Sequence, residues 1–165
     1  MNACFRCLVL FILAAGFRPA GSSVAEFSSA GFAPARFAPA PHPTSADILR
    51  YVNEHRRSMG LPTLQGNSFI SSVALRHSRD MLAGKTPFGH DGFHDRILEI
   101  RGHLGALHVA AENVASGPMS AREVVDGWLH SPGHRRNIEG DFRLTGIGLA
   151  AGDNGMIYFT QIFVK

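Results

Sequence analysis

The sequence predicts an α+β domain, a three-layer α-β-α sandwich built around a small antiparallel sheet. Three observations lead there. Up to about residue 130, apolar residues recur at i, i+3, i+4 and i+7, the spacing of one helical face. From Leu144 onward the period becomes that of strands. The last apolar run (Ile157, Tyr158, Phe159, Ile162, Phe163, Val164) has no polar side. It must be buried on both faces, and a sheet between two helical layers provides that.

The first helix opens at Thr44 or Ser45, either of which can accept from a free backbone N–H, and Asp47 lies in its first turn. Ile48, Tyr51, Val52 and His55 form its stripe. Gly60 ends it and Pro62 prevents resumption. The second helix follows Asn67 or Ser68, with Ile70, Val73, Ala74, His77 and Met81 on one face and Gly84 at its close. A short third helix fits Asp95 to Arg101, stopped by Gly102. The fourth begins with a capping box, Ser120 to Glu123. Its face is Val124, Val125, Trp128 and Leu129, and Pro132 with Gly133 terminates it. Trp128 reads as a packing residue. Strands are expected at Leu144–Ala151 and Met156–Val164, joined through Asp153-Asn154-Gly155, whose Asn-Gly pair suits a tight type I′ hairpin. A further short strand is expected around His108 to Val114.

The chain has 165 residues, 45% of them apolar, enough for one core and too few for two ordinary domains. Residues 1–25 read as a secretory signal. Met1 to Arg6 is weakly basic, and Cys7 to Gly16 is apolar but too short to cross a bilayer. Ser23 and Ala25 are small residues suited to cleavage after Ala25. An uncleaved anchor is the alternative. Residues 26–44 are a Pro/Ala-rich linker with a near repeat, Phe32-Ala-Pro-Ala and Phe37-Ala-Pro-Ala, whose prolines favour extended backbone. The domain proper is 45–165.

Both cysteines, Cys4 and Cys7, precede the domain, which therefore has no disulfide framework, no cysteine zinc site and no cysteine nucleophile. Loss of Arg6 and Arg18 with the signal leaves 14 basic against 13 acidic groups. No basic block exceeds two residues. Binding to nucleic acid through a charged face is thus not expected, since it needs several clustered phosphate contacts. No later stretch is apolar enough for a transmembrane segment, and the mature chain is expected in an extracytoplasmic location: secreted, periplasmic or at the cell surface.

There are nine histidines. His90 sits in the Gly-punctuated turn Phe88-Gly-His-Asp-Gly-Phe93. His134 sits in Ser131-Pro-Gly-His134, read as a turn after the fourth helix. Glu112 lies in Ala110-Ala-Glu-Asn-Val-Ala115, among residues that would bury it. A buried carboxylate without a partner costs several kcal/mol or shifts its pKa. Glu112 should therefore meet a histidine; backbone donors or an arginine are the alternatives. His77, on an apolar face, reads as a hydrogen-bonded core histidine. His94 is four residues from His90, but Gly92 argues against a continuous helical pair. His42, His55, His103, His108 and His130 carry no claim beyond surface or packing. Asn113 and Ser131 either orient neighbouring polar groups or cap turns.

The ordered pieces Ile48-Leu-Arg-Tyr-Val-Asn-Glu-His-Arg56, Ala74-Leu-Arg-His-Ser-Arg-Asp-Met81, Phe88-Gly-His-Asp-Gly92, Ala111-Glu-Asn-Val-Ala115, Trp128-Leu-His-Ser-Pro-Gly-His-Arg-Arg-Asn-Ile138, Thr145-Gly-Ile-Gly-Leu-Ala150 and Thr160-Gln-Ile-Phe163 resemble the CAP superfamily (cysteine-rich secretory, antigen 5 and pathogenesis-related proteins) in its bacterial, cysteine-free form. The resemblance implies an α-β-α sandwich with a central cleft lined by His90, Glu112 and His134. Many relatives place a second glutamate three residues after the tryptophan. Here that position is Ser131, which weakens any mechanism needing two carboxylates.

Two function classes follow, with a structural role beside them. The first is a secreted binding module, its cleft (His90, Glu112, His134, with Ser131 and Asn113) contacting a lipid, peptidoglycan or protein ligand. His90 and His134 would bind Zn2+ or another divalent cation weakly, because a tight zinc site needs three or four protein ligands. The second is a hydrolase, through a metal-bound water with Glu112 as base, or through Ser131 and His134. The H-E-x-x-H and G-x-S-x-G motifs are absent. An envelope component spaced by residues 26–44 is the structural reading. If Glu112 holds a histidine charged, stability should fade as pH rises through the raised histidine pKa.

Overall fold

The computed structural model describes residues 42–165; the expected signal of residues 1–25 and most of the expected linker of residues 26–44 lie outside them. In chain order the elements are α1 (Ser45–Ser58), β1 (Gln65–Gly66), α2 (Ser68–Leu82), α3 (Phe93–Leu104), β2 (Ala110–Gly117), α4 (Ala121–His130), α5 (Pro132–Glu139), β3 (Leu144–Ala151) and β4 (Ile157–Val164). The expected α+β sandwich forms. A four-stranded sheet of order β1-β3-β4-β2 lies between α1, α4 and α5 on one side and α2 and α3 on the other.

β4 is the central strand, antiparallel to both β2 and β3. Its alternate residues feed two cores, as period-2 side-chain geometry requires. Ile157, Phe159 and Phe163 join Ile48, Val52, Val125 and Trp128. Ile162 and Val164 join Ile70, Val73, Ala74 and Ile100 on the opposite face. Thr160, on this second face, is fully buried and satisfied by Ser78 Oγ at 2.8 Å.

Local signals set most boundaries. Thr44 Oγ1 accepts from Asp47 N, Asn67 Oδ1 accepts from Ile70 N, and both halves of the Ser120–Glu123 capping box are made. Arg56 was not singled out in the sequence, yet it is 1% exposed. Its guanidinium donates to Pro62 O at 2.7 Å, Ile138 O at 2.7 Å and Gly140 O at 2.8 Å. It therefore ties α1 to the loop that follows it and to the C-terminal end of α5, with its buried donors satisfied.

Several elements differ from the sequence reading. α3 passes through Gly102 and stops at Gly105. An interior glycine costs only about 1 kcal/mol, and continuation brings Leu104 onto the second core. Pro132 begins a helix as well as ending one. It stands at the first turn of α5, where its missing N–H is no loss. His134 is thus on a helix and not in a turn. β2 starts two residues later than expected and runs to Gly117. The sheet is mixed, because the short β1 pairs parallel to β3. The β3–β4 connection is longer than a two-residue hairpin: Gly152 N donates to Met156 O at 2.8 Å, and Gly155 N closes a turn onto Gly152 O at 3.0 Å. Among the described residues no helix is long and apolar enough to cross a membrane.

Gly146 and Gly148 set how closely α2 approaches the sheet. A Cβ on Gly148 would lie 2.1 Å from Leu75 N, and one on Gly146 would lie 2.3 Å from the backbone at Ile70 and Ser71. Backbone cannot yield as a flexible side chain can. Gly148→Ala should therefore lower unfolding free energy by about 3 kcal/mol or more, the upper end for overpacking. Urea denaturation of the two proteins measures this, and unchanged stability would mean the α2–β3 approach is looser than described.

Candidate functional site

Glu112 lies on β2, the edge strand beyond β4, and its side chain is 2% exposed. Successive β2 side chains point to opposite faces, so Glu112 is directed to the α2/α3 side and Asn113 to the α4/α5 side. Arg96, on α3, takes both carboxylate oxygens. Its Nε donates to Oε2 at 2.9 Å and its Nη2 donates to Oε1 at 2.7 Å. This two-point geometry is the strong form of a carboxylate–guanidinium bond. The third Arg96 donor, Nη1, reaches Asp91 O at 2.8 Å.

The loop between α2 and α3 carries His90. Gly92 caps α3 at φ 74°, a conformation that favours glycine, and brings the chain round onto Arg96. His90 Nδ1 donates to Glu112 Oε1 at 2.9 Å. That leaves Nε2 as the ring atom free to act outward, on a side chain 51% exposed. His77, 4% exposed, holds the same loop from below by donating Nε2–H to Gly89 O at 2.9 Å. It is the hydrogen-bonded core histidine expected, and it also positions the residue next to His90.

His134 approaches from the other side of the edge strand. Asn113 Nδ2 donates to His134 O at 3.1 Å, and Asn137 Nδ2 is shared between Asn113 Oδ1 at 2.9 Å and Glu112 O at 3.2 Å. These amide bonds hold α5 to β2. Asn113 is fully buried and anchors backbone. The His134 side chain is half-buried. Ser131 joins α4 to α5, and its side chain caps neither helix.

The structure thus brings His90 and Glu112 into direct contact, while His134 is tied to the same strand through its backbone carbonyl and Asn113, without a hydrogen bond to His90 or Glu112. Arg96 is the member that sequence reading missed. The signal was present: Arg96, Ile100 and Leu104 follow one another at i+4 on the buried stripe of α3. A charged residue in core phase is a candidate partner for an unexplained buried acid; Arg96 fills that role for Glu112, whereas Arg56, in the same phase on α1, takes backbone carbonyls.

Burial of the Glu112 carboxyl by itself pushes its pKa up. The hydrogen bonds from His90 and Arg96, with the Arg96 charge, outweigh burial, and the net position is below the usual carboxylate value. His77 is lowered chiefly by burial, against the opposing effect of its bond to Gly89. His134 is lowered by burial and then by the charge of His90. A metal ion does not fit this donor set as a resident group. Both Glu112 oxygens face a guanidinium, and among the described residues no three His, Cys, Asp or Glu side chains are grouped to hold an ion.

The profile of the cysteine-rich secretory protein family (CAP) matches residues 49–163. The protein YkwD of Bacillus subtilis is 31% identical over 131 residues, covering 76% of this chain but only 50% of that relative. Among solved structures, an extracellular protein containing an SCP domain from Bacillus anthracis is 28% identical with a TM-score of 0.60, covering 73% of this chain and 39% of that one. An outer surface protein of Borrelia burgdorferi has the same fold at 23% identity, with a TM-score of 0.60 over 74% of this chain and 94% of that chain.

Removal of Arg96 leaves a buried, uncompensated carboxylate. Arg96→Met should cost about 3–5 kcal/mol, and Arg96→Met with Glu112→Gln should cost less than the first change alone; a chemical-denaturation cycle reads both. The pH dependence has a definite sign. The depressed histidine pKa values mean that His77 and His134 contribute fully above their ordinary value near 6.5 and lose this as pH falls below it. The Glu112 contribution is present above its ordinary 4.5 and is lost as pH falls through its depressed value. The thermal midpoint should therefore drop on acidification from about pH 7.5 to about 5.5, with a shallower slope in His77→Gln. This is opposite to the alkaline loss expected if Glu112 held a charged histidine; a flat profile would show that neither depressed histidine is linked to folding.

Proposed function

The chain belongs to the cysteine-rich secretory protein (CAP) family, and from that premise we propose that it acts outside the cytoplasm as a binding module, recognising its ligand through His90 and His134. The observation that carries this reading is the Arg96 fork on Glu112. A general base works best with a pKa near the operating pH. Glu112 is displaced the other way and both its oxygens are occupied. Its role is then to aim His90, leaving Nε2 at the surface as a neutral acceptor or a protonated donor.

Such a site suits a ligand rich in hydroxyl and amide groups, as peptidoglycan, lipid headgroups and protein surfaces are. The near-even charge balance speaks against nucleic acid. Export is supported by the leader-like residues 1–25 and by relatives described as extracellular or outer-surface proteins. Zn2+ or another divalent cation would find two imidazoles at most, and two-nitrogen contact is weak. The hydrolytic alternative gains no support at Ser131, whose hydroxyl makes no bond to His134 among the described residues.

Co-sedimentation with purified peptidoglycan and with phosphatidylglycerol vesicles tests the reading. The wild-type domain should pellet with one of them, and His90→Ala should lose at least about tenfold in affinity, since a truncated polar contact exposes an unmet partner. Turnover of casein or a simple ester that disappears in Glu112→Gln would replace this reading by the enzymatic one. In calorimetric titration Zn2+ should give weak heats that diminish in His90→Ala and His134→Ala; identical heats in all three proteins would remove these residues as ligands.

A further inference from the structure

We propose that the open edge of β3, from Ile147 to Ala151, is a strand-addition site for an extended, uncharged peptide segment of a partner protein. The sheet has two edges, and they are treated differently. On β2 the outward carbonyls of Glu112 and Val114 are covered by Asn137 Nδ2 at 3.2 Å and by Trp128 Nε1 at 3.3 Å. On β3, strand pairing covers only the first two residues, Leu144 and Thr145.

The direction of the remaining groups follows from the ladder. Gln65 N donates to Arg143 O at 2.9 Å and Asn67 N donates to Thr145 O at 2.8 Å. Arg143, which precedes β3, still donates its N–H to Val164 O at 3.1 Å; within β3, from Thr145 on, odd-numbered residues turn their backbone groups away from β4, because successive residues of an antiparallel pair alternate. Ile147 N continues the series and is met by Ser71 Oγ at 3.2 Å. Beyond it, Ile147 C=O, both backbone groups of Leu149 and those of Ala151 face outward without a partner among the described residues. A row of such groups is a template for another strand.

The Ile147–Leu149 part of this edge lies in a groove of ≈ 400 Å3 between α2 and the start of α1, with Ser45, Ser68, Ser72, Leu75 and Leu149 among its walls. It adjoins a second groove of ≈ 180 Å3 beside β1. Every side chain lining either groove is uncharged. A charged segment would lose hydration there without a counter-charge, so the occupant is neutral. The edge is also flanked by α2 and by the start of α1. Helices beside it hinder two copies of this chain from bringing their edges to the roughly 4.8 Å that strand pairing needs, whereas one extended segment can enter. Backbone pairing would supply affinity, and alternate side chains against Leu75 and the serines would supply selectivity.

The test uses the full chain and a random eight-residue peptide library displayed on phage. An enriched peptide is synthesised with single backbone N-methyl groups at each position in turn. Strand addition requires affinity to fall at least about tenfold at every second position and to persist between them, and exchange of the Leu149 amide to slow by a similar factor when the unmodified peptide binds. Leu149→Pro removes an outward N–H that the β3–β4 ladder does not use, and should abolish binding with the fold retained; the N-methyl series stands without this variant should it fail to fold. The proposal is overturned by a library that yields no binder, by binders indifferent to N-methylation that leave Leu149 exchange unchanged, or by concentration-dependent self-association that protects Leu149 in the absence of peptide.

Discussion

The arrangement of the polar site depends on one interaction, the two-point bond between Arg96 and Glu112. A carboxylate at 2% exposure on a sheet edge cannot stay ionised without compensation. Once the guanidinium supplies it, three elements are placed together. α3 is drawn onto β2, the loop before α3 is drawn in through Asp91 O, and the oxygen that Arg96 shares with His90 sets the imidazole. The net stability such a pair supplies is small, because its desolvation offsets most of its attraction, although removing one partner is costly.

β2 is the strand on which both helical layers converge. Being at the edge, it offers one side chain to α3, the next to α5, and its outward carbonyls to Trp128 and Asn137. In this way His134, from the α5 layer, and His90, from the α2/α3 layer, are tied to adjacent residues of one strand, Asn113 and Glu112. The carboxamides of Asn113 and Asn137 hold α5 to the edge where a further strand would otherwise lie. At the far side of the sheet β1 gives out after two residues and the edge of β3 stays open. The protein thus protects the sheet edge next to its polar site and leaves the other available.

Much of the architecture was legible from local rules. The helix starts at Thr44, Asn67 and Ser120 each need one side-chain oxygen and one nearby N–H, and the strands at Leu144 and beyond need only their own period. Errors fell where tertiary contact overrides a local preference. Gly102 does not stop α3 because Leu104 has a core to join. Pro132, read as a terminator, also starts α5, because a proline ends one helix and opens another with equal ease. The two arginines buried among the described residues, Arg56 and Arg96, sit in phase with apolar neighbours four residues away, a regularity visible in the sequence although their partners are not.

By itself the sequence determined the helical and strand periods, the need for a sheet buried on both faces, the lack of a basic face and the demand that Glu112 find a partner. Those properties reside in neighbouring residues or in composition. Only the tertiary structure decided that the partner is an arginine sixteen positions earlier as well as a histidine, that His134 arrives on a helix from the opposite layer, and that one sheet edge is closed and the other open. These outcomes depend on which atoms meet across the fold, and spacing along a chain carries no distance between segments that only folding brings together.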